Sequence, residues 1–295
     1  MDGAPARPRP HLTIGIALAL LTAASVAPAA ETPSVTFGRR PTPSGEQLDQ
    51  TTEVGLTLKT QIRKQREVLE KQQSEVVRTR RRVLEPVLVE DGVTTAAYVR
   101  YLQSSARHND SPPQTDPIAG KSYYCRRIGD AIQVLTRDGA EPPVEEKKLV
   151  AENMEPLGKP NPLADYLAGK TVSVGDKLAL PVDVAQRLLG LGGTLGEVTK
   201  FELTLTTLAE QDGQPCAVFQ ADIEAQRTDG SQMRLLIGGP MTIEAATCRA
   251  VSSELSGPIG MSHSLNDPRG RLQLDSTGRV KVRVSSRPAS EGAAR

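Results

Sequence analysis

Strict alternation of apolar and polar residues in the last third of the chain constrains the fold more than any other feature. Phe201, Leu203 and Leu205 alternate with polar neighbours, and the same pattern resumes over 217–226 after an Asp-Gly pair. A period of two places every second side chain on one face of a strand. With further turns predicted at 229–230 and 238–240, this region is expected to form an antiparallel meander with one buried face.

The region from 53 to 90 supports two interpretations. Val54, Leu56 and Leu58 alternate with small or polar residues, which predicts a half-buried strand. Apolar residues also recur every seven positions from Ile62 to Val83, which is one row of a helical heptad seam, but the second row is polar. Because an Asp-Gly pair at 91–92 adds a hairpin signal, we predict strands over 54–64, 76–90 and 93–103, with a helix over 63–85 as the alternative.

The middle of the chain is predicted to be helical. Two prolines precede a helical run over 144–154 that carries acidic residues in its first turn. Shorter helices are expected at 162–167 and 182–191, and a loop over 104–120 precedes strands at 121–127 and 131–136. The predicted fold is mainly β (α+β): a large curved antiparallel sheet, or an open barrel or half-barrel, packed with two or three short helices.

The N-terminus has the three parts of a secretory signal. Arg7 and Arg9 precede an apolar run over 12–21, and small residues follow as far as Ala30. The apolar run is shorter than the roughly 20 residues that a membrane-spanning helix needs. We therefore expect a signal peptide over 1–30 that is removed, no integral membrane span after cleavage, and an exported protein that is periplasmic or secreted.

Composition divides the rest of the chain into three parts. Residues 31–52 are rich in Pro, Ser, Thr and Gly, which predicts a disordered spacer. Residues 53–285 are expected to form the β-rich globular body, with halves at 53–140 and 196–285 around the helical middle. Residues 286–295 are small and polar, which predicts a disordered tail.

A short pattern in mid-chain resembles a known group of proteins. Val174-Gly175-Asp176 separates two predicted strands, the second of which is Leu178-Ala179-Leu180-Pro181, and a later turn is expected at Asp275-Ser276-Thr277-Gly278. Over 54–285 the chain resembles a loose group of uncharacterised exported bacterial β-rich envelope proteins of unknown function. The resemblance implies an export route and β character, and it carries over no functional site.

Charge and composition disfavour several kinds of partner. The chain has 36 basic and 35 acidic residues, which indicates neither a nucleic-acid partner nor an anionic membrane surface. It has no tryptophan and few aromatic rings that could stack on bases or sugars. Cys125, Cys216 and Cys248 match no metal motif, and whether any two are disulfide-paired stays open for an exported protein. No cofactor is expected.

Catalytic and metal-binding residues are sparse. After removal of the leader only His108 and His263 remain. Ser262 and Ser264 flank His263, and Asp267 is near, but adjacent residues in a strand point to opposite faces. A hydrolase using His263 is therefore a minor hypothesis. His108 with Asp110 and Asp116 offers oxygen and nitrogen ligands for a cation, but a solvated turn is favoured. We expect no catalytic residue and no metal site.

Two groups of residues are candidate binding contacts. Arg78, Arg80 and Arg82 share one face if this segment is a strand, with Arg81 pointing away. They are suited to anionic lipid head groups or an acidic partner, but a charged strand, for example at a sheet edge where such residues deter aggregation, is the favoured interpretation. An apolar row at helical spacing predicts contacts to an apolar ligand, and it comprises Val184, Leu188, Leu191 and Leu195.

These observations favour an exported, non-enzymatic envelope or secreted protein that acts by binding. The alternative is a periplasmic carrier that holds an apolar ligand or lipid in a cleft between sheet and helices. A hydrolase is the second alternative. The partner is expected to be an apolar small molecule or another envelope protein.

Overall fold

The computed structural model describes residues 32–65, 67–189, 196–227, 231–267 and 270–289. As predicted, these residues are mainly β, with a large antiparallel sheet and three short helices. The predicted signal peptide over 1–30 lies outside the described residues. The remainder, from Thr32 onward, belongs to one compact unit rather than two separate halves.

The elements follow one another with short connections. The strands are β1 (Ser34–Thr36), β2 (Leu48–Lys64), β3 (Glu67–Glu90), β4 (Val93–His108), β5 (Gln114–Thr115), β6 (Ser122–Ile128), β7 (Ala131–Thr136), β8 (Thr171–Ser173), β9 (Lys177–Ala179), β10 (Glu197–Gln211), β11 (Gln214–Arg227), β12 (Ser231–Glu244), β13 (Ala250–Asp267) and β14 (Gly270–Pro288). The helices are α1 (Val144–Asn153), α2 (Pro162–Leu167) and α3 (Val182–Leu189).

Twelve strands of the described residues form one antiparallel sheet in the order β7-β6-β4-β3-β2-β14-β13-β12-β11-β10-β9, with β5 added to β4. Its two end strands, β7 and β9, do not pair with each other in this part of the chain, so the sheet is open. The first and last long strands, β2 and β14, pair along their whole length at its centre. That pairing joins the N-terminal and C-terminal β regions into one structure.

The strand interpretation of 63–85 is confirmed. β3 runs without interruption from Glu67 to Glu90 and is hydrogen-bonded to β2 on one side and to β4 on the other. From Val76 to Leu84 two neighbouring strands satisfy the backbone groups of β3, whereas a helix with a single apolar row has no partner surface to bury. The period of two therefore prevails over the period of seven.

The predicted spacer over 31–52 is wrong for its described residues. β1 pairs with β8, with Val35 opposite Val172, and Phe37 is 1% exposed. The ring of Phe37 stacks on that of Phe219, with centroids 6.2 Å apart. A few apolar residues in a Pro- and Thr-rich segment thus suffice to fix it, because they reach partners on distant parts of the chain.

Three other boundaries also differ from expectation. The predicted tail begins too early, since β14 continues to Pro288 and Ser286 is buried opposite Gln50; 290–295 lie outside the described residues. The predicted loop over 104–120 is shorter, because β4 continues to His108. The turn predicted at 275–278 is instead an interior part of β14, paired on both sides. The turn predicted at 238–240 is an interior part of β12, which pairs with β11 throughout this segment and with β13 at Gly238.

The helices cover one face of the sheet at its two ends. At one end, Val150 and Met154, on and just after α1, pack on Val99 and Tyr101. At the other end, α2 and α3 pack on β10 and β11. The buried members there include Leu163, Leu167, Val184, Phe201, Leu203 and Phe219.

Register shows that both cores lie on the same face. Tyr101 lies opposite Arg82, and Arg78, four residues earlier on the same face of β3, lies opposite Val54. Val54 lies opposite Val282, and Val282 lies opposite Leu255, a member of the core beneath α2 and α3. Directly opposed residues of neighbouring strands share a face, so one helix-bearing face extends across the whole sheet.

Candidate binding face at the centre of the sheet

An apolar stripe lies at the centre of the helix-bearing face, between its covered ends. We define this central stripe as Val54, Leu56, Leu58, Val280 and Val282, on the paired strands β2 and β14. Val54 is 37% exposed and the other four are half-buried. The main strand contacts of the helices are with β7 and β10. Four of the stripe residues, all but Val54, pack against the core that contains α2 and α3, so the stripe leads from that core to the open centre of the face.

The apolar character continues along the strands toward the β2–β3 and β13–β14 hairpin ends. Ile62 lies opposite Leu274, and Leu265 lies opposite Leu272 and is 43% exposed. From Val284 to Leu272 the run is about 40 Å long at the usual rise per residue of a strand. Such a length matches an extended hydrocarbon chain better than a compact ligand.

One polar pair interrupts the apolar run, and its two side chains are hydrogen-bonded to each other. Thr60 lies opposite Ser276, and their hydroxyl oxygens are 2.8 Å apart in a hydrogen bond. Each hydroxyl is thereby satisfied by its neighbour, which reduces the cost of covering the pair with an apolar group.

An arginine row borders the central stripe on β3. It consists of Arg78, Arg80 and Arg82, which alternate along the strand and so lie about 6.8 Å apart on one face. Arg78 is directly opposite Val54. The prediction that these three residues share a face is confirmed, and the edge-strand explanation is wrong, since β3 is an interior strand between β2 and β4.

No carboxylate forms an ion pair with the arginine row in the described part of the chain. Arg82 donates from Nε to Gln50 Oε1 at 3.0 Å and from Nη1 to the carbonyl oxygen of Asn153 at 2.9 Å. The buried Nε of Arg80 has no hydrogen-bond partner among the described residues. Burial lowers the pKa of the Arg80 guanidinium, the charges of Arg82 and Arg78 lower it further, and Tyr101 and Asp116 partly offset these effects.

Tyr101 adds a second unpartnered polar atom beside the row. Its side chain is fully buried, and its hydroxyl makes no hydrogen bond of full geometry among the described residues, with the Asn153 side chain as its near neighbour. Burial raises the pKa of the Tyr101 hydroxyl, so it stays protonated and able to donate. Sequence reasoning missed this residue, because its alternation marked it only as part of a strand core.

A cleft of about 430 Å³ lies at the Arg82 end of the row. Its floor includes Leu48, Arg82 and Leu84, and Met154 and Arg249 stand in its walls. The wall cation is partly neutralised, because Arg249 forms an ion pair of 2.9 Å with Glu244. The cleft is therefore a mixed pocket, with an apolar floor and positive walls, that extends the arginine row.

The opposite face of the same strands presents a contrast. There Arg81 pairs with Asp49 at 2.6 Å, and Arg283 pairs with Glu53 at 3.4 Å and Glu254 at 3.1 Å. The hydrogen bond and the charge of Asp49 raise the pKa of Arg81. Cations on the outer face thus have carboxylate partners, whereas those of the arginine row do not.

The residues predicted to contact an apolar ligand lie elsewhere. Val184 is 8% exposed and packs in the core beneath α3, and Leu188 is half-buried against it. Leu191 and Leu195 lie outside the described residues. Ligand contact at α3 stays a prediction, and Val182 in the first turn of α3 is 57% exposed. The central stripe on β2 and β14 is a separate, partly exposed apolar surface.

The residues of the minor catalytic and metal hypotheses lie at separate places in the fold. His263 and Ser262 are adjacent on β13, and Ser262 lies 2.8 Å from a carboxylate oxygen of Asp275. Asp116 accepts a hydrogen bond from Ser104 at 2.6 Å. Among the described residues, no three His, Cys, Asp or Glu side chains are grouped to hold a metal.

The three cysteines are free and buried. Burial raises the pKa of the Cys125 thiol to about 12, and the nearby charge of Arg82 only partly offsets this. Since the thiolate is the reactive form, Cys125 acts as a small core residue.

Comparisons with known proteins do not assign the chain to a family. No family model and no curated protein matches it. Among solved structures, a lipovitellin structure titled for lipid–protein interactions is 10% identical over 84% of this chain, with a TM-score of 0.37. This chain spans about a quarter of that protein, covering 26% of it.

Two further structures resemble the chain more weakly. DynF from the dynemicin biosynthesis pathway of Micromonospora chersina is 8% identical over 90% of this chain and 89% of its own, with a TM-score of 0.19. OpdQ of Pseudomonas aeruginosa is 7% identical over 83% of this chain and 98% of its own, with a TM-score of 0.15. Likenesses this low support no functional argument. In the described residues, no helix combines the length and apolar character of a membrane span.

Proposed function

We propose that this protein is an exported, non-enzymatic carrier that holds a long apolar chain on the central stripe. The observation that carries the proposal is the stripe itself. Val54 is 37% exposed in the middle of a sheet face whose two ends are buried beneath helices. Together with its half-buried neighbours Leu56 and Val282, Val54 gives this face a partly exposed apolar surface, and contiguous apolar surface on a folded protein marks an interaction site.

The proposed ligand follows from the shape of the surface. The apolar run is about 40 Å long and two to three strands wide, which suits an extended chain lying along β2 and β14. Burying about ten methylene groups gains roughly 8 kcal/mol. Association itself costs roughly 4–15 kcal/mol, so the chain alone binds weakly and a polar contact is needed for tight binding.

Export is proposed on the sequence of the first thirty or so residues, where Arg7 and Arg9 precede the apolar run over 12–21. In an aqueous compartment outside the cytoplasm, a hydrocarbon chain has no solvent other than a membrane or a carrier. An open sheet with one apolar face supplies such a carrier surface.

Binding of a fluorescent long-chain alcohol to the protein lacking residues 1–30 tests the proposal. The double variant Val54→Gln/Val282→Gln places two polar groups on the central stripe, and it is expected to weaken binding about tenfold or more. Thr57→Gln on the outer face of β2 is the matched control and should bind as the unaltered protein does. Equal binding by the stripe variant and the control would contradict the proposal.

A further inference from the structure

Resting on the proposed function, we infer that the ligand is an anionic amphiphile whose head group is held by the arginine row. Arg78 and Arg80 supply the charge, and the Tyr101 hydroxyl supplies a further donor. The apolar chain then runs from Val54 along β2 and β14.

The two arginines that would hold the head group lie beside the central stripe. Arg78 lies directly opposite Val54, and Arg80 lies opposite Thr52, next to the stripe. A head group at these two guanidinium groups therefore has the exposed end of the apolar run within one strand spacing, about 4.8 Å. The arginines and the apolar stripe thus lie side by side, as the charged head group and the hydrocarbon chain do in an amphiphile.

The second step is that the row has no carboxylate in an ion pair with it. Within the described residues, Arg78 and Arg80 make no ion pair, whereas Arg81 between them pairs with Asp49 at 2.6 Å. The Asp116 carboxylate, which accepts a hydrogen bond from Ser104 opposite Arg80, acts on Arg80 by its charge alone. Three like charges on one strand face repel one another, and partial burial strengthens the repulsion. An anion bound between the arginines offsets this repulsion, so the unliganded row is able to bind an anion.

The third step is the pair of unused donors. Arg80 Nε and the Tyr101 hydroxyl are both buried and make no hydrogen bond of full geometry in the described part of the chain, and the Asn153 side chain is the near neighbour of the hydroxyl. Tyr101 lies opposite Arg82, two residues from Arg80 on the same face. Buried donors are normally satisfied, and oxygens of a carboxylate or phosphate head can accept from both guanidinium and hydroxyl groups.

A pair of chain-matched probes tests this inference separately from the proposed function. The dissociation constants of a fluorescent long-chain carboxylate and of the alcohol with the same chain are measured on one protein preparation. We expect the carboxylate to bind about tenfold more tightly than the alcohol, as a charge-assisted hydrogen bond predicts. In Arg78→Gln/Arg80→Gln this preference is expected to fall to about twofold or less, with the affinity for the alcohol unchanged.

Two further variants keep the test decisive. Arg279→Gln removes one positive charge from the outer face of β14 and is expected to retain the preference for the carboxylate. Arg78→Gln alone alters an exposed side chain, so it reports on the head group even if the double variant folds poorly. In Arg78→Gln the preference for the carboxylate over the alcohol is expected to fall from about tenfold to about threefold.

The outcomes separate the two claims. An unchanged carboxylate preference in both arginine variants would overturn the head-group inference and leave the carrier proposal standing. Failure of the unaltered protein to bind either probe would overturn the carrier proposal itself. Displacement of the carboxylate by inorganic phosphate at equal concentration would show a site for a soluble anion, which also overturns the inference.

Discussion

At the β10–β12 end of the helix-bearing face, Leu203, Leu205 and Phe219 are fully buried, whereas Val54 at the centre of the same face is 37% exposed. The same alternation of apolar and polar residues produced both regions. They differ in what lies over them, since α2, α3 and the segment containing Phe37 cover the first. Alternation therefore determines which face is apolar, and the connections between strands determine how much of it remains open.

The two covered ends also differ from each other. The core at the β10–β12 end is assembled from apolar side chains. The α1 end contains a charged network, in which Glu146 accepts from the Tyr123 hydroxyl at 2.6 Å and from Lys121 Nζ at 2.6 Å. The α1 end is thus expected to weaken in acid.

The largest expected effect separates covered end from open centre. Phe219→Ala removes a fully buried ring that stacks on Phe37, and we expect a loss of about 3–5 kcal/mol in unfolding free energy. Val54→Ala at the centre is expected to cost less than about 1 kcal/mol, because its side chain is already partly in water. Urea unfolding measures both, and similar losses would show that the centre is packed like the ends.

The next effect distinguishes the two ends. Glu146→Gln removes the buried negative charge that accepts hydrogen bonds from Lys121 and Tyr123. This is expected to lower the unfolding free energy by about 1.5–3 kcal/mol. Hydrogen bonds from Lys121 and then Tyr123 hold the pKa of Glu146 below its usual value of 4.5. A lowered carboxyl pKa stabilises the fold above that value and loses its contribution as the pH falls below it.

The pH dependence gives that comparison an independent measurement. Unfolding free energies of the unaltered protein and of Glu146→Gln are expected to converge as the pH falls below 4.5. A difference between the two proteins that stays constant from pH 7 to the acid limit would contradict the assigned role of Glu146.

The smallest effect compares the two faces of β3. Arg81→Gln leaves the buried Asp49 without its partner at 2.6 Å and is expected to cost about 1–2 kcal/mol in unfolding free energy. Arg80→Gln on the other face removes a half-buried charge with no ion pair and is expected to change stability by less than about 0.5 kcal/mol. If Arg80→Gln is the more damaging substitution, the arginine row has a structural role instead of a binding one.

Much of the fold could be predicted from local sequence patterns. The helix predicted at 162–167 coincides with α2, where Asn161 caps the first turn by accepting from the backbone N–H of Leu163 at 3.0 Å. The strand periodicity also placed Arg78, Arg80 and Arg82 on one face. Each of these features depends on neighbours a few residues away, so the sequence displays it directly.

Features that depend on distant partners could not be predicted in this way. β1 exists because Val35 meets Val172 far along the chain. The predicted turn at 238–240 is instead strand, where the backbone of β11 approaches so closely that a Cβ on Gly238 would lie 2.9 Å from the carbonyl oxygen of Ala221. Likewise, the stripe became a candidate site only once β2 was found beside β14.

Photo-crosslinking tests the central claim most directly. A long-chain fatty acid with a photoreactive group in its chain is bound to the mature protein, irradiated and mapped by peptide mass spectrometry. The account predicts crosslinks on β2 and β14, around Val54, Leu56 and Val282, that Arg78→Gln/Arg80→Gln diminishes. Crosslinks confined to α3 or to the outer face of the sheet would contradict it.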